Sequence, residues 1–313
     1  MKPLSTLKSI VKRILASIPV IVGVVLVIYL ILRILPGDAI TTMMGEHYNA
    51  QAAEQMIAEL GLDQPWYVQF WRYISGLFTG DMGTSIKYHK LVSELIATYF
   101  PVTVKLAALA ALVAWTVGLV CGVISAMRKD KLADRIGMGF SLLGISVPVF
   151  MTAMVLQYLL AYKLPWFPIQ GVEKGFVAYI LPAIALGWNS AGNVARLTRS
   201  TLLEVMQSDY IDTARAKGRS VSGAVVYHAL RNAMIPVITV MAMQISSLLS
   251  GAVMTETIFS LPGIGRLAMD AITARDVPLL QGSVVFTTLL VIAGNLVADC
   301  LYTVLDPRIR KEN

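Results

Sequence analysis

Residues 102–127 read VTVKLAALAALVAWTVGLVCGVISAM, and Lys105 is the only formally charged side chain among them. A helix over these residues, rising about 1.5 Å per residue, is about 39 Å long and crosses a hydrocarbon core of about 30 Å. Lipid cannot satisfy a free backbone amide or carbonyl, so an apolar stretch of this length in a bilayer must be helical. The stretch therefore predicts a membrane-spanning helix.

Five more stretches meet or approach the same requirement: residues 14–35, 137–162, 176–194, 232–254 and 280–305. The weakest is 176–194, interrupted by Pro182, Asn189 and Asn193. Composition agrees with a membrane protein. Of 313 residues, 56% are hydrophobic and 14% charged, with a mean hydropathy of +0.68. A soluble domain carries roughly a quarter charged residues. The net charge of +7 does not point to nucleic acid, because the basic residues flank apolar runs without forming an aromatic-interleaved patch. The expected fold class is an all-α membrane protein of about six spans.

The basic residues also orient the chain. One side collects Lys2, Lys8, Lys12 and Arg13, then Arg128, Lys129, Lys131 and Arg135. It also holds Arg196, Arg199, Arg215, Lys217, Arg219 and Arg231, and finally Arg308, Arg310 and Lys311. By the positive-inside rule this side is cytoplasmic, and an even number of spans places both termini there. The first span is read as a retained anchor and not a signal peptide, since Leu35-Pro36-Gly37-Asp38 is no small-residue cleavage site.

Residues 37–101 form the long outer segment and are rich in acids. Ala50 to Leu60 predicts a helix from the spacing of Ala52, Met56 and Leu60, with Gly61 as its stop. Trp66 to Phe78, following Pro65, predicts a second, amphipathic helix with Trp66, Phe70, Tyr73 and Leu77 on one face. Such a face suits packing on the outer leaflet, or docking of an extracytoplasmic partner.

Catalytic and metal-binding patterns are missing from the sequence. There is no phosphate-cradling G-x-x-x-x-G-K-[ST], no H-E-x-x-H and no G-x-S-x-G. Cys121 and Cys300 sit singly in apolar runs, and His47, His89 and His228 are isolated, so no catalytic residue and no metal ligand is assigned. Polar groups within spans are functional candidates because lipid exposure is costly. Gln157, Asn189, Asn193, Gln244, Asn295 and Asp299 are the deeper ones.

The segment between the fourth and fifth spans predicts a short helix–Gly–helix elbow. Asp209 can cap its first helix, Gly218 ends it, and Pro236 heads the next span. This stretch resembles the EAA loop of binding-protein-dependent ABC importer permeases. Asp212, Thr213 and Ala214 stand at the family's E-A-A, and Gly218 and Pro236 at its Gly and Pro. The departures are Asp for Glu and Thr for the first Ala.

Further segments resemble the peptide/nickel branch of that family, the dipeptide and oligopeptide permeases. They are Leu35-Pro36-Gly37-Asp38, Leu60-Gly61-Leu62-Asp63-Gln64-Pro65, Gly80-Asp81-Met82-Gly83-Thr84-Ser85 and Ala195-Arg196-Leu197-Thr198-Arg199-Ser200. After them come Leu261-Pro262-Gly263-Ile264-Gly265-Arg266, Arg275-Asp276-Val277-Pro278 and Asp306-Pro307-Arg308-Ile309. They occur in order along nearly the whole chain.

The resemblance implies a multi-pass permease of the bacterial cytoplasmic membrane. Residues 1–36 would be the tail and first span, 37–101 the extracytoplasmic helical segment, and 102–313 the permease core with five spans. Implied partners are a second homologous permease, two ATP-binding subunits, an extracytoplasmic substrate-binding protein and membrane lipid, with no nucleic acid. Asp212, Thr213, Ala214, Arg215, Ala216, Lys217 and Gly218 would couple to the ATPases. No cofactor is expected on this chain, ATP and Mg being used by the partners. The pathway should be lined by polar and small residues, with Gln157, Asn189, Asn193, Gln244, Ser246, Ser247 and Ser250 as candidates and Gly251 beside them. Small residues serve close helix packing equally well. The implied cargo is a di- or oligopeptide, with glutathione or a nickel or metal chelate as alternatives. A proton-coupled secondary transporter would need intramembrane acids and inverted repeats, and neither is evident.

Overall fold

The computed structural model describes residues 15–16, 18–28, 30, 49–60, 63–208 and 230–305. Among them there is no strand, and the single β-type pairing is the isolated bridge between Thr84 and Leu91. The helices are α1 (Ile18–Ile28), α2 (Ala50–Leu60), α3 (Trp66–Phe78), α4 (Val92–Met127), α5 (Leu132–Ser146) and α6 (Val149–Leu156). They continue as α7 (Ile180–Met206), α8 (Leu230–Gly251), α9 (Val253–Ile258), α10 (Ile264–Ala274) and α11 (Val277–Leu305).

The described chain packs as two compact units. One takes the residues up to Thr103 together with Pro262–Ile292, the other Val104–Leu261 together with those from Ala293 onward.

Helices α2 and α3 occupy the stretches that periodicity predicted. The packed face of α3 differs from expectation. Phe70 and Ile74 are buried and Tyr73 and Leu77 partly so, whereas Trp66 is exposed. Trp66 opens the helix at its N-terminal end, outside the packed cluster.

The other boundaries also moved. Helix α4 starts ten residues before residue 102 and runs through Pro101. A proline in a helix removes one hydrogen bond. Here that loss is outweighed by burial of Val92, Leu95 and Ile96, at helical spacing, in a cluster with Ile264, Leu267, Ala271, Leu279 and Leu280. The expected straight span over 137–162 is instead a broken pair. Helix α5 ends at Ser146, and α6, continued by a π-helix over Gln157–Lys163, leaves at 106° to it. Pro148 causes the break, because it disfavours helical backbone at Val147, which is extended at φ −86 and ψ 126.

The fourth expected span also changes. A 3-10 turn, Gly175–Tyr179, leads into α7, which passes residue 194 and ends at Met206. Pro182 falls in its first turn, where the missing N–H is harmless, so it does not interrupt the helix. Arg196 and Arg199 therefore sit on a helix and not in a loop. The fifth expected span divides into α8 and α9, and the sixth begins three residues early as α11. By length and composition, three described helices can each cross a membrane: α4, α8 and α11. The bent α5–α6 pair is a fourth candidate.

Small residues let α7 pack tightly in the second unit. A Cβ on Gly118 of α4 would lie 2.7 Å from Val194 Cβ, and one on Gly122 would lie 2.6 Å from Thr198 Cβ. These two glycines, four apart, form the small-xxx-small pattern that brings membrane helices close together.

Candidate functional site

In the second unit, α7 and α8 with Met138 of α5 border an open groove of about 850 Å3. Asn193, Arg196 and Ser200 of α7 line it, with Gln244, Ser247 and Met243 of α8 opposite. Gln244 Nε2 donates to the Ser190 carbonyl at 3.0 Å and ties the two helices together. The groove pairs amide, hydroxyl and guanidinium groups with apolar walls, so it suits a ligand with both backbone-like and apolar parts.

The predicted lining residues divide into two sets. Asn193, Gln244 and Ser247 are on the groove. Asn189, Gln157 and Ser246 make contacts between segments, and Ser250 bonds within α8. Asn189 Nδ2 donates to the Gly144 carbonyl at 2.9 Å. Gln157 Nε2 donates to the carbonyls of Ile169 and Ile258 at 2.8 and 3.0 Å. Ser246 is buried where Gly294 comes close, and Ser250 Oγ donates to the Ser247 carbonyl at 3.2 Å. The predicted Asp212–Gly218 elbow and the Asp299 side chain lie outside the described residues, and Gly251 ends α8.

Two groups near the groove were not predicted. Arg196 faces it. Arg199 binds Asp134 of α5 in a bidentate pair, with Nε to Oδ1 and Nη2 to Oδ2 both at 2.7 Å. Asp134 is buried and also accepts from the Asp130 N–H at 2.9 Å. Asp134 is the buried partner and Arg199 is part-exposed at the groove, so removing the guanidinium leaves a buried carboxylate without its partner. The acid at the start of α5 and the Arg-rich segment 195–200 were each visible in sequence; the turn that joins them in space was not.

In the first unit, three of the resemblance segments meet. Ser85 Oγ donates to Asp276 Oδ2 at 2.5 Å, and the Lys87 N–H donates to the same oxygen at 3.0 Å. Asp276 Oδ1 accepts the Leu279 N–H at 3.1 Å and so caps the start of α11. Gly83, at φ +82, turns the preceding loop, and Asp81 Oδ1 accepts its N–H at 2.8 Å. The Thr103 hydroxyl accepts the Ile264 N–H at 2.9 Å, at the head of α10. Burial, and next the Asp270 carboxylate, push the Tyr88 phenol above its ordinary value, so it keeps its proton and donates to Asp270 Oδ2 at 3.4 Å.

Apolar helices of spanning length, a bent helix pair and a groove between packed helices define a helical membrane protein. Residues 118–311 match the family described as "Binding-protein-dependent transport system inner membrane component", and residues 6–107 match the N-terminal region of such components. The chain belongs to this family.

A "Glutathione transport system permease protein GsiC" of Salmonella paratyphi A is 40% identical over 304 residues, covering 97% of this chain and 99% of its own. A "Di/tripeptide transport system permease protein DppB" of Pseudomonas aeruginosa is 40% identical over 334 residues, covering 98% and 99%. A "Dipeptide transport system permease protein DppB" of Alkalihalophilus pseudofirmus is 38% identical over 327 residues, covering 96% and 98%. Among solved structures, an inward-facing MetNI methionine ABC transporter superposes with a TM-score of 0.56 at 15% identity. It covers 68% of this chain and 97% of that one, a likeness of fold. The chain is thus a multi-pass inner-membrane permease subunit of the ABC-importer type.

Proposed function

We propose that this chain forms half of the pathway by which di- and oligopeptides enter the cell. A second homologous permease completes the pathway, two ATP-binding subunits drive it, and an extracytoplasmic binding protein supplies the cargo. Both termini face the cytoplasm, as the distribution of Lys and Arg supports. ATP and Mg act on the partner subunits, and this chain needs no cofactor. Asp212 to Gly218 receive the ATPase motion, and the helix bundle answers by switching between outward and inward openings.

The observation that carries the reading is the groove between α7 and α8, where Asn193, Gln244 and Ser247 stand beside Arg196. Amide and hydroxyl groups can exchange hydrogen bonds with a peptide backbone, and the guanidinium suits a carboxylate. The relatives named for dipeptides and di/tripeptides support the same cargo. Glutathione is the second reading, favoured by the equally similar relative named for it.

The test is reconstitution of this chain with its partner permease, ATPases and binding protein in liposomes. Peptide uptake should require ATP and no ion gradient. A threefold panel of dipeptide, glutathione and nickel chelate as competitors assigns the cargo. Uptake by this chain alone, driven by a proton gradient, would overturn the reading.

A further inference from the structure

Helix α3 carries a second apolar face that the described residues leave exposed. Its first face, with Phe70 and Ile74 buried and Tyr73 and Leu77 partly so, joins Val25 of α1 and Val285 of α11 in one packed cluster. Helices α1 and α11 both belong to apolar stretches of membrane type. Helix α3 therefore packs against one helix of spanning length, α11, and against the shorter apolar helix α1.

At 100° per residue, Tyr67, Trp71 and Phe78 fall within about 40° of one another, adjacent to the packed face. They are 52%, 62% and 78% exposed. The remaining sector carries Gln69, Arg72 and Ser75, and Arg72 Nη2 is tied to Gln64 Oε1 at 3.0 Å. The helix thus has three sectors in order: protein-packed, aromatic and polar.

We propose that α3 lies in the bilayer–water boundary and inserts Tyr67, Trp71 and Phe78 into the leaflet on its own side, fixing the outer segment to the membrane. Tyr and Trp are the residues that favour this boundary, having an apolar ring and a polar tip. A helix with one apolar stripe and a polar back lies in the interface plane and does not cross it. The occupant is lipid and not a binding protein, because α3 is packed against α11, a helix of spanning length, and its exposed stripe carries no charge to complement a soluble partner. The stripe is not the face that periodicity selected, since that face is consumed by packing.

The experiment places a spin label on the full chain, assembled with its partner subunits, in nanodiscs of phosphatidylethanolamine and phosphatidylglycerol. Cys121 and Cys300 are first replaced by Ala. Labels go on W71C and F78C, and on S75C and T79C for the polar side. Oxygen, which partitions into lipid, and a water-soluble nickel chelate serve as relaxing agents. The proposal expects positions 71 and 78 to favour oxygen over the chelate several-fold, and positions 75 and 79 to show the reverse. Preference for the chelate at 71 and 78 overturns it. So does shielding of those positions from both agents, whether before or only after the binding protein is added, because protein then covers the stripe. Two labels per face keep the result readable should one variant fail to assemble.

Discussion

Ser85 Oγ and Asp276 Oδ2 share a 2.5 Å hydrogen bond across 191 positions of sequence. The bond joins the Gly80–Ser85 loop to the turn at the start of α11, two segments that read as separate in the linear chain. Asp276 is buried and satisfies two backbone amides as well. It therefore acts as the knot of the first unit.

Asp276→Ala should lower stability markedly. It leaves the Ser85 hydroxyl and the Lys87 and Leu279 amides without their acceptor, at about 1–3 kcal/mol for each buried group left unpaired. Asp276→Asn retains one carbonyl oxygen and should be milder, and Ser85→Ala milder still, at about 1 kcal/mol. Thermal unfolding in nanodiscs ranks the three, and an unchanged midpoint for Asp276→Ala would refute the assignment.

The Asp134–Arg199 pair should show strong coupling. Arg199→Met alone leaves the Asp134 carboxylate without its partner and is expected to cost about 1–3 kcal/mol, since Arg199 is part-exposed. Combining it with Asp134→Asn removes the charge and should recover part of the loss. A double-mutant cycle by chemical denaturation measures this, and additivity within about 0.5 kcal/mol would mean the pair is not coupled.

Close packing of α4 on α7 predicts that Gly122→Leu is damaging, by about 1–3 kcal/mol or more, because overpacking must push Thr198 aside. Gly139→Ala on α5 is the control. A Cβ there meets nothing within 4 Å, so the change should be neutral or slightly stabilising. Yield of monodisperse protein and unfolding midpoint together separate the two outcomes.

Groove and strut residues should behave differently. Asn193→Leu is expected to raise the KM for peptide uptake several-fold with little change in unfolding midpoint, since its side chain faces the groove. Asn189→Leu should lower the midpoint instead, because the Gly144 carbonyl loses its donor. Equal effects of both on uptake and stability would contradict the division.

Gly218→Val should uncouple the motor. In the assembled importer, ATP hydrolysis is expected to persist while peptide uptake falls, with the spans still inserted. Uptake per ATP equal to that of the parent would count against the Asp212–Gly218 elbow as the coupling segment.

Much of the fold was legible because hydrophobic run length and period report directly on helices in lipid. The stretches 50–60 and 66–78 were read to their ends. Three features were less legible, each for a physical reason. Pro101 and Pro148 carry the same local signal, yet one is absorbed within α4 by packed neighbours and the other breaks α5 from α6. The polar residues Asn189 and Asn193 lie four apart on one helix, but only the second faces the groove. Arg199 reads as a loop cation and is in fact a helix residue paired with the buried Asp134.

The sequence by itself determined that the chain is a helical membrane protein, since no other structure satisfies the backbone of a 26-residue apolar stretch in lipid. It also carried the ordered segments by which the family is known. Tertiary structure alone decided which polar groups face the groove and which act as struts. Those choices depend on the rotation of each helix against its neighbours, set by contacts such as Gly122 on Thr198 and Asp276 on Ser85. Such contacts join residues far apart in the chain, and no local pattern records them.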